Sequence, residues 1–132
     1  MSFSFFQNLW NSFFQYVTLQ LSAKYTEDNM MNQRIKTESV DHLFDAILTL
    51  ESREECYRFF EDVCTINELL SLSQRLEVAK MLRAQKTYID IADKTGASTA
   101  TISRVNRTLQ YGSDGYDIVL GRLADTEKSD KV

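Results

Sequence analysis

Thr99, Ala100, Ser103, Arg104 and Arg107 fall on one face of a helix whose opposite face carries Ile102 and Val105. Small polar side chains beside arginines suit base edges in a DNA major groove and the phosphates on its rims. The residues before them complete a helix-turn-helix pattern. Ile91 and Ala92 mark the inner face of a first helix, and Ala92 is small enough for a second helix to cross closely. Gly96 stands where the chain must turn with positive φ. Ser98 or Thr99 can cap the second helix, because a hydroxyl there satisfies orphan backbone N–H groups. An ordinary helical hairpin within a bundle is the competing account of this spacing.

Other chemistry finds little support. The chain offers no nucleophile–base pair, no metal-ligand cluster and no glycine-rich phosphate loop, so the expectation is that it is not an enzyme. Cys56 and Cys64 lack a metal spacing and read as buried free thiols in a reducing compartment, which places the protein in the cytoplasm. His42 is the sole histidine, beside Leu43 and Phe44, and has no second ligand near it in sequence.

The elements that position the reading face must be helices. The 132 residues contain no proline and only 4 glycines, which argues against a turn-rich sheet protein. Apolar content of 43% and charged content of 26% are globular values. Val40, Leu43, Phe44, Ile47 and Leu48 predict a first core helix. Ser52 to Glu55 is a capping box that opens a second, with Cys56, Phe59, Phe60 and Val63. Thr65 to Glu68 is another, opening a longer run with Leu69, Leu72, Leu76, Ala79 and Leu82. The reading helices follow, as Tyr88–Lys94 and Ser98–Leu109. Tyr111 to Gly115 breaks the chain, and Tyr116, Val119, Leu120 and Leu123 form a closing helix. Residues 124–132 read as a frayed polar tail.

The net charge of −4 conceals an uneven distribution. Residues 38–62 hold eight carboxylates against Arg53 and Arg58, a balance of −6. Residues 74–107 hold seven bases, Arg75, Lys80, Arg83, Lys86, Lys94, Arg104 and Arg107, against three carboxylates, a balance of +4. A polyanion responds to the local field of the second segment.

Residues 1–30 stand apart. Met1 to Ala23 carries no charge, while Phe6, Leu9, Trp10, Phe13, Phe14, Val17 and Leu21 recur at helical spacing. The segment lacks the cationic start of a secretory signal and is too interrupted by Gln, Asn and Ser for a membrane span. It could lie on a membrane surface, although it has no basic face. It could pack on the domain or on a partner subunit. Or it is translated upstream sequence, with the start at Met30 or Met31; this is the favoured expectation.

Leu82-Arg83, Thr87 to Ile91 and above all Thr95 to Arg104 resemble the Trp repressor superfamily. The runs Glu55 to Glu68 and Gln74 to Leu82 bring the match closer to the YerC/YecD-type branch of TrpR-like proteins. The resemblance spans about Val40 to Leu123. It implies an all-α, six-helix domain over residues 31–123, forming an intertwined homodimer. It also implies that Ser98, Thr99, Ala100, Thr101, Ser103 and Arg104 approach double-stranded DNA, with Lys86, Lys94 and Arg107 nearer phosphates. Two recognition helices related by a two-fold axis can reach successive major grooves about 34 Å apart. The apolar supply, large for such a domain, fits a core finished by a second subunit.

The resemblance also raises a small-molecule effector. Arg104 matches an arginine that helps sandwich tryptophan in the Trp repressor, Thr108 stands where a serine lies, and Arg75 matches a second arginine only across a one-residue gap. Val105 replaces a glycine that leaves room for the ligand, so tryptophan fits poorly and no cofactor is implied with certainty. The leading expectation is a homodimeric, sequence-specific transcriptional regulator, a repressor, on a palindromic operator. The alternative is a protein-interaction module using the acidic helices of residues 38–62.

Overall fold

The computed structural model describes residues 11–23 and 33–129. The expectations for Phe6, Leu9, Trp10, Met30 and Met31 lie outside these residues, as do residues 130–132 of the tail. The described residues are helical with short connections and contain no strand. Six helices run from residue 38: α1 (Glu38–Leu48), α2 (Arg53–Val63), α3 (Ile66–Arg83), α4 (Tyr88–Thr95), α5 (Thr99–Tyr111) and α6 (Gly115–Ser129). Two further helical stretches, 11–23 and 33–35, precede them, so the described residues hold eight helical segments rather than six. The chain divides into two compact units that meet within α2, the first ending at Cys56 and the second beginning at Tyr57.

In the first unit, residues 11–23 form an exposed helix with Phe13, Phe14, Tyr16 and Leu21 in solvent. Thr37 caps α1 by accepting the Val40 N–H at 3.3 Å. The expected apolar stripe is present, yet α1 buries nothing: Val40 and Ile47 are half-buried, Phe44 is 52% exposed and Leu48 82%. Ser52 accepts the Glu55 N–H as predicted, at 3.2 Å. The reciprocal bond reaches one residue further back, because Glu55 Oε2 accepts the Glu51 N–H at 2.8 Å. Cys56 is a free, half-buried thiol, less buried than expected.

The second unit contains the core. Val78, Ala79, Ile91, Ala97, Ile102, Val105 and Leu120 are buried, and α3 packs against α4, α5 and α6. Val78 was not in the expected stripe of α3, whereas Leu72 was and is exposed. Leucines recur around much of this helix, so their spacing alone does not single out its inner face. Phe59 and Phe60 are half-buried and meet edge to face, with ring centroids 5.5 Å apart. Cys64 is likewise a free, half-buried thiol. Thr65 and Glu68 form the full reciprocal capping box of α3. The Thr65 N–H bond to the Glu68 carboxylate, followed by that from the Thr65 hydroxyl, holds the carboxyl below the ordinary glutamate range. The closing helix does not stop at Leu123. It continues to Ser129, because Ala124, Asp125, Thr126, Glu127 and Lys128 include neither proline nor glycine, so the frayed tail is corrected to helix over 124–129.

Candidate nucleic-acid interface

Thr87 opens α4 by accepting the Asp90 N–H at 3.2 Å. The helix ends one residue beyond the expected Lys94, and Gly96 caps it at φ +68, the left-handed conformation that its spacing predicted. The Gly96 N–H closes the last turn on the Ala92 carbonyl at 2.9 Å. The Thr95 hydroxyl donates to the Ile91 carbonyl at 2.7 Å and accepts the Ala97 N–H at 3.2 Å. Ser98 then caps α5 by accepting the Thr101 N–H at 3.2 Å. The turn is therefore held by side chains on both sides of Gly96.

Ile102 is fully buried and Val105 is 2% exposed, so the inner face of α5 is fixed against the core. This orientation places Thr99, Ala100, Ser103, Arg104 and Arg107 in solvent. Ser98 and Thr101 are partly committed to the cap, for the Ser98 hydroxyl also donates to Thr101 Oγ1 at 3.1 Å and Thr101 is half-buried. The first turn of α5 holds no acidic residue, which leaves the positive end of its dipole open to an anion.

The basic residues fall into two groups. Lys80 pairs with Glu77 at 3.2 Å and Arg83 with Asp117 at 2.8 Å, so part of their charge is compensated. Among the described residues, neither Arg104 nor Arg107 has a carboxylate partner within ion-pair distance. Lys86 and Lys94 are exposed and line an open cleft of about 640 Å³ with Lys80, Ser73, Gln74 and Thr95. Arg75, Arg104 and Thr108, the residues matched to an effector site, do not line this cleft. Thr108 donates its hydroxyl to the Arg104 carbonyl at 3.0 Å, and Val105 is buried where the resemblance would need space for a ligand.

Sequence spacing missed Gln74. Its Nε2 donates to the Thr95 carbonyl at 3.0 Å, joining α3 to the end of α4. No local spacing marks it, because its partner lies 21 residues away and the leucines of α3 leave the inner face of that helix unmarked.

Residues 38–124, from the start of α1 into α6, match the family of the Trp repressor protein. The chain belongs to the Trp repressor family. The YerC protein of Bacillus subtilis (strain 168) is 56% identical over 98 residues, which cover 74% of this chain and 94% of that one. The crystal structure of a TrpR-like protein from Eubacterium eligens ATCC 27750 is 68% identical, with a TM-score of 0.68 over 70% of this chain and 95% of that one. A second crystal structure, from Staphylococcus aureus, is 58% identical at the same TM-score, over 70% of this chain and 92% of that one. The Trp repressor family consists of DNA-binding regulators of transcription and is not an enzymatic family. Among the described residues no helix is long and apolar enough to cross a membrane.

Proposed function

We propose that residues 31–123 form a homodimeric, sequence-specific regulator that occupies a palindromic operator in the cytoplasm and represses transcription. The observation that carries the DNA reading is the orientation of α5. Ile102 and Val105 lock one face inward, leaving Thr99, Ala100, Ser103 and Arg104 outward beside Arg107, which has no carboxylate partner among the described residues. In this reading the N-terminal residues of α5, from Ser98 to Arg104, approach base edges, while Arg107, Lys86 and Lys94 meet phosphates. Phosphate neutralisation supplies most of the affinity and a few base contacts supply the specificity.

The exposed apolar residues of α1 and α2 support the second copy. Leu48, Tyr57 and Val63 lie in solvent in the single chain, and water-facing side chains of this size are stabilised when a partner covers them.

Selection of bound duplexes from a random pool at about 150 mM salt tests the reading, salt being held near physiological because it governs the phosphate contribution. The expected product is a palindrome with half-sites about one helical turn apart. Recovery of random duplexes alone, both without and with an added pool of amino acids and metabolites, would remove sequence-specific reading and leave the acidic helices of residues 38–62 as a protein-binding surface. Arg104→Ala is expected to cost about 1–3 kcal/mol on the selected site and little on a scrambled one. Equal losses on both would make Arg104 a phosphate contact.

A further inference from the structure

The helix-turn-helix is joined to α3 by more than apolar packing, through the last residue of α4. Gln74 lies one turn before the buried Val78, is itself half-buried, and donates from Nε2 to the Thr95 carbonyl at 3.0 Å. That carbonyl belongs to the last turn of α4, where backbone acceptors lack an intrahelical donor. Thr95 is thus held at its carbonyl by α3, and through its hydroxyl by Ile91 behind and Ala97 ahead. Gly96 follows with φ +68, and Ser98 begins the cap of α5 two residues later.

Any change of angle at Thr95 passes directly to the reading face. At about 1.5 Å per residue, Arg104 lies about 9 Å along the helix from Ser98. A tilt of about 10° at the cap would move it by about 1.5 Å, several times what a hydrogen bond to a base edge tolerates.

The geometry points to Gln74 as a positioning residue of the DNA reader. Its amide, on the Thr95 carbonyl at the end of α4, fixes the angle at which the turn leads into α5. This inference rests on the DNA reading proposed above and adds to it the group that aims the helix.

Two variants of the full chain test it. Gln74→Met keeps the length of the side chain without a donor. Gln74→Asn keeps the amide but is about 1.5 Å too short to reach. Both are first compared with the parent by thermal melting, and binding is measured where all three are folded. Affinity for the selected operator is expected to fall about tenfold in each variant, while affinity for a scrambled duplex changes less than about twofold. A uniform loss on both duplexes, or full retention of specificity, would overturn the proposal.

Amide exchange in the DNA-free chain separates this proposal from the reading it rests on. Exchange at Gly96 and Ala97 is expected to quicken about fivefold in Gln74→Met, whether or not an operator exists. Unchanged exchange would overturn the clamp. Faster exchange in a chain that selects no operator would sustain the clamp and remove only the DNA reading.

Discussion

The reading pair α4–α5 and the leading pair α1–α2 have similar helical patterns and different fates. Both pairs carry apolar stripes and side-chain caps. In the first, Ile91, Ile102 and Val105 are buried and the intervening turn is fixed by Thr95, Gly96 and Ser98. In the second, no residue is buried. Their charges differ as well, since the acidic balance of residues 38–62 contrasts with the basic balance of residues 74–107. An amphipathic stripe makes a helix able to bury a face, but a complementary surface must be available. For the reading pair α3 supplies that surface within one chain. For the leading pair, the proposed second copy is the surface that would cover Phe44 and Leu48.

The sharpest separation of the two pairs comes from truncating one apolar side chain in each. Ile102→Ala leaves a cavity in a filled core and is expected to cost about 2–5 kcal/mol in denaturant unfolding. The loss should not depend on protein concentration if it resides in the single chain. Leu48→Ala removes a side chain that is 82% exposed in one chain, so dilute protein should lose little. Its effect should grow with concentration, as the association it serves begins to contribute to stability. Equal, concentration-independent losses at both positions would erase the distinction between a self-sufficient pair and one awaiting a partner.

A smaller effect is expected at the turn. Gly96→Ala forces a Cβ into the left-handed region at φ +68, at a cost of about 1–2 kcal/mol. The nearest atom to such a Cβ is Gln74 Nε2, 4.0 Å away, so the cost comes from the backbone and not from a clash. Denaturant midpoints of Gly96→Ala and Gly115→Ala give the contrast, because a Cβ at Gly115 meets nothing within 4 Å and its backbone is helical. A similar loss at both would show that φ at Gly96 is not the cause.

These differences mark what local pattern could reveal. The reading pair was legible because each of its devices is local: a small residue at the crossing, glycine at the turn, hydroxyls at the caps and a three-residue apolar spacing. Arg104 and Arg107 followed once Ile102 and Val105 defined the opposite face. Gln74 was not legible in the same way, since its partner Thr95 is 21 residues away and side-chain reach is not encoded in spacing. The inner face of α3 was blurred by its many leucines, and Val78 was missed among them. The exposure of α1 was hidden for another reason: its stripe states only that the helix seeks cover, not where that cover lies. The second capping box was read in full, whereas the first shifted by one residue because the Glu55 side chain reaches the Glu51 N–H.

The two capping boxes give the smallest expected effect and test whether a full reciprocal cap differs from a shifted one. Glu68 has a lowered pKa because its carboxylate accepts from the Thr65 backbone and hydroxyl. A carboxyl whose native pKa lies below its unfolded value stabilises the fold above the unfolded pKa, about 4.3 for glutamate. That contribution falls away as pH drops through the lowered native value. Glu68→Gln can still accept the Thr65 N–H but cannot titrate, so its unfolding midpoint should fall less steeply than the parent's between about pH 5 and pH 3. Glu55→Gln, measured at neutral pH, provides the geometric comparison within α2, where the side chain reaches Glu51 instead of its own cap residue. A parent-like slope in Glu68→Gln would show that the Thr65 bonds do not couple protonation to folding, and that the full cap acts through geometry alone.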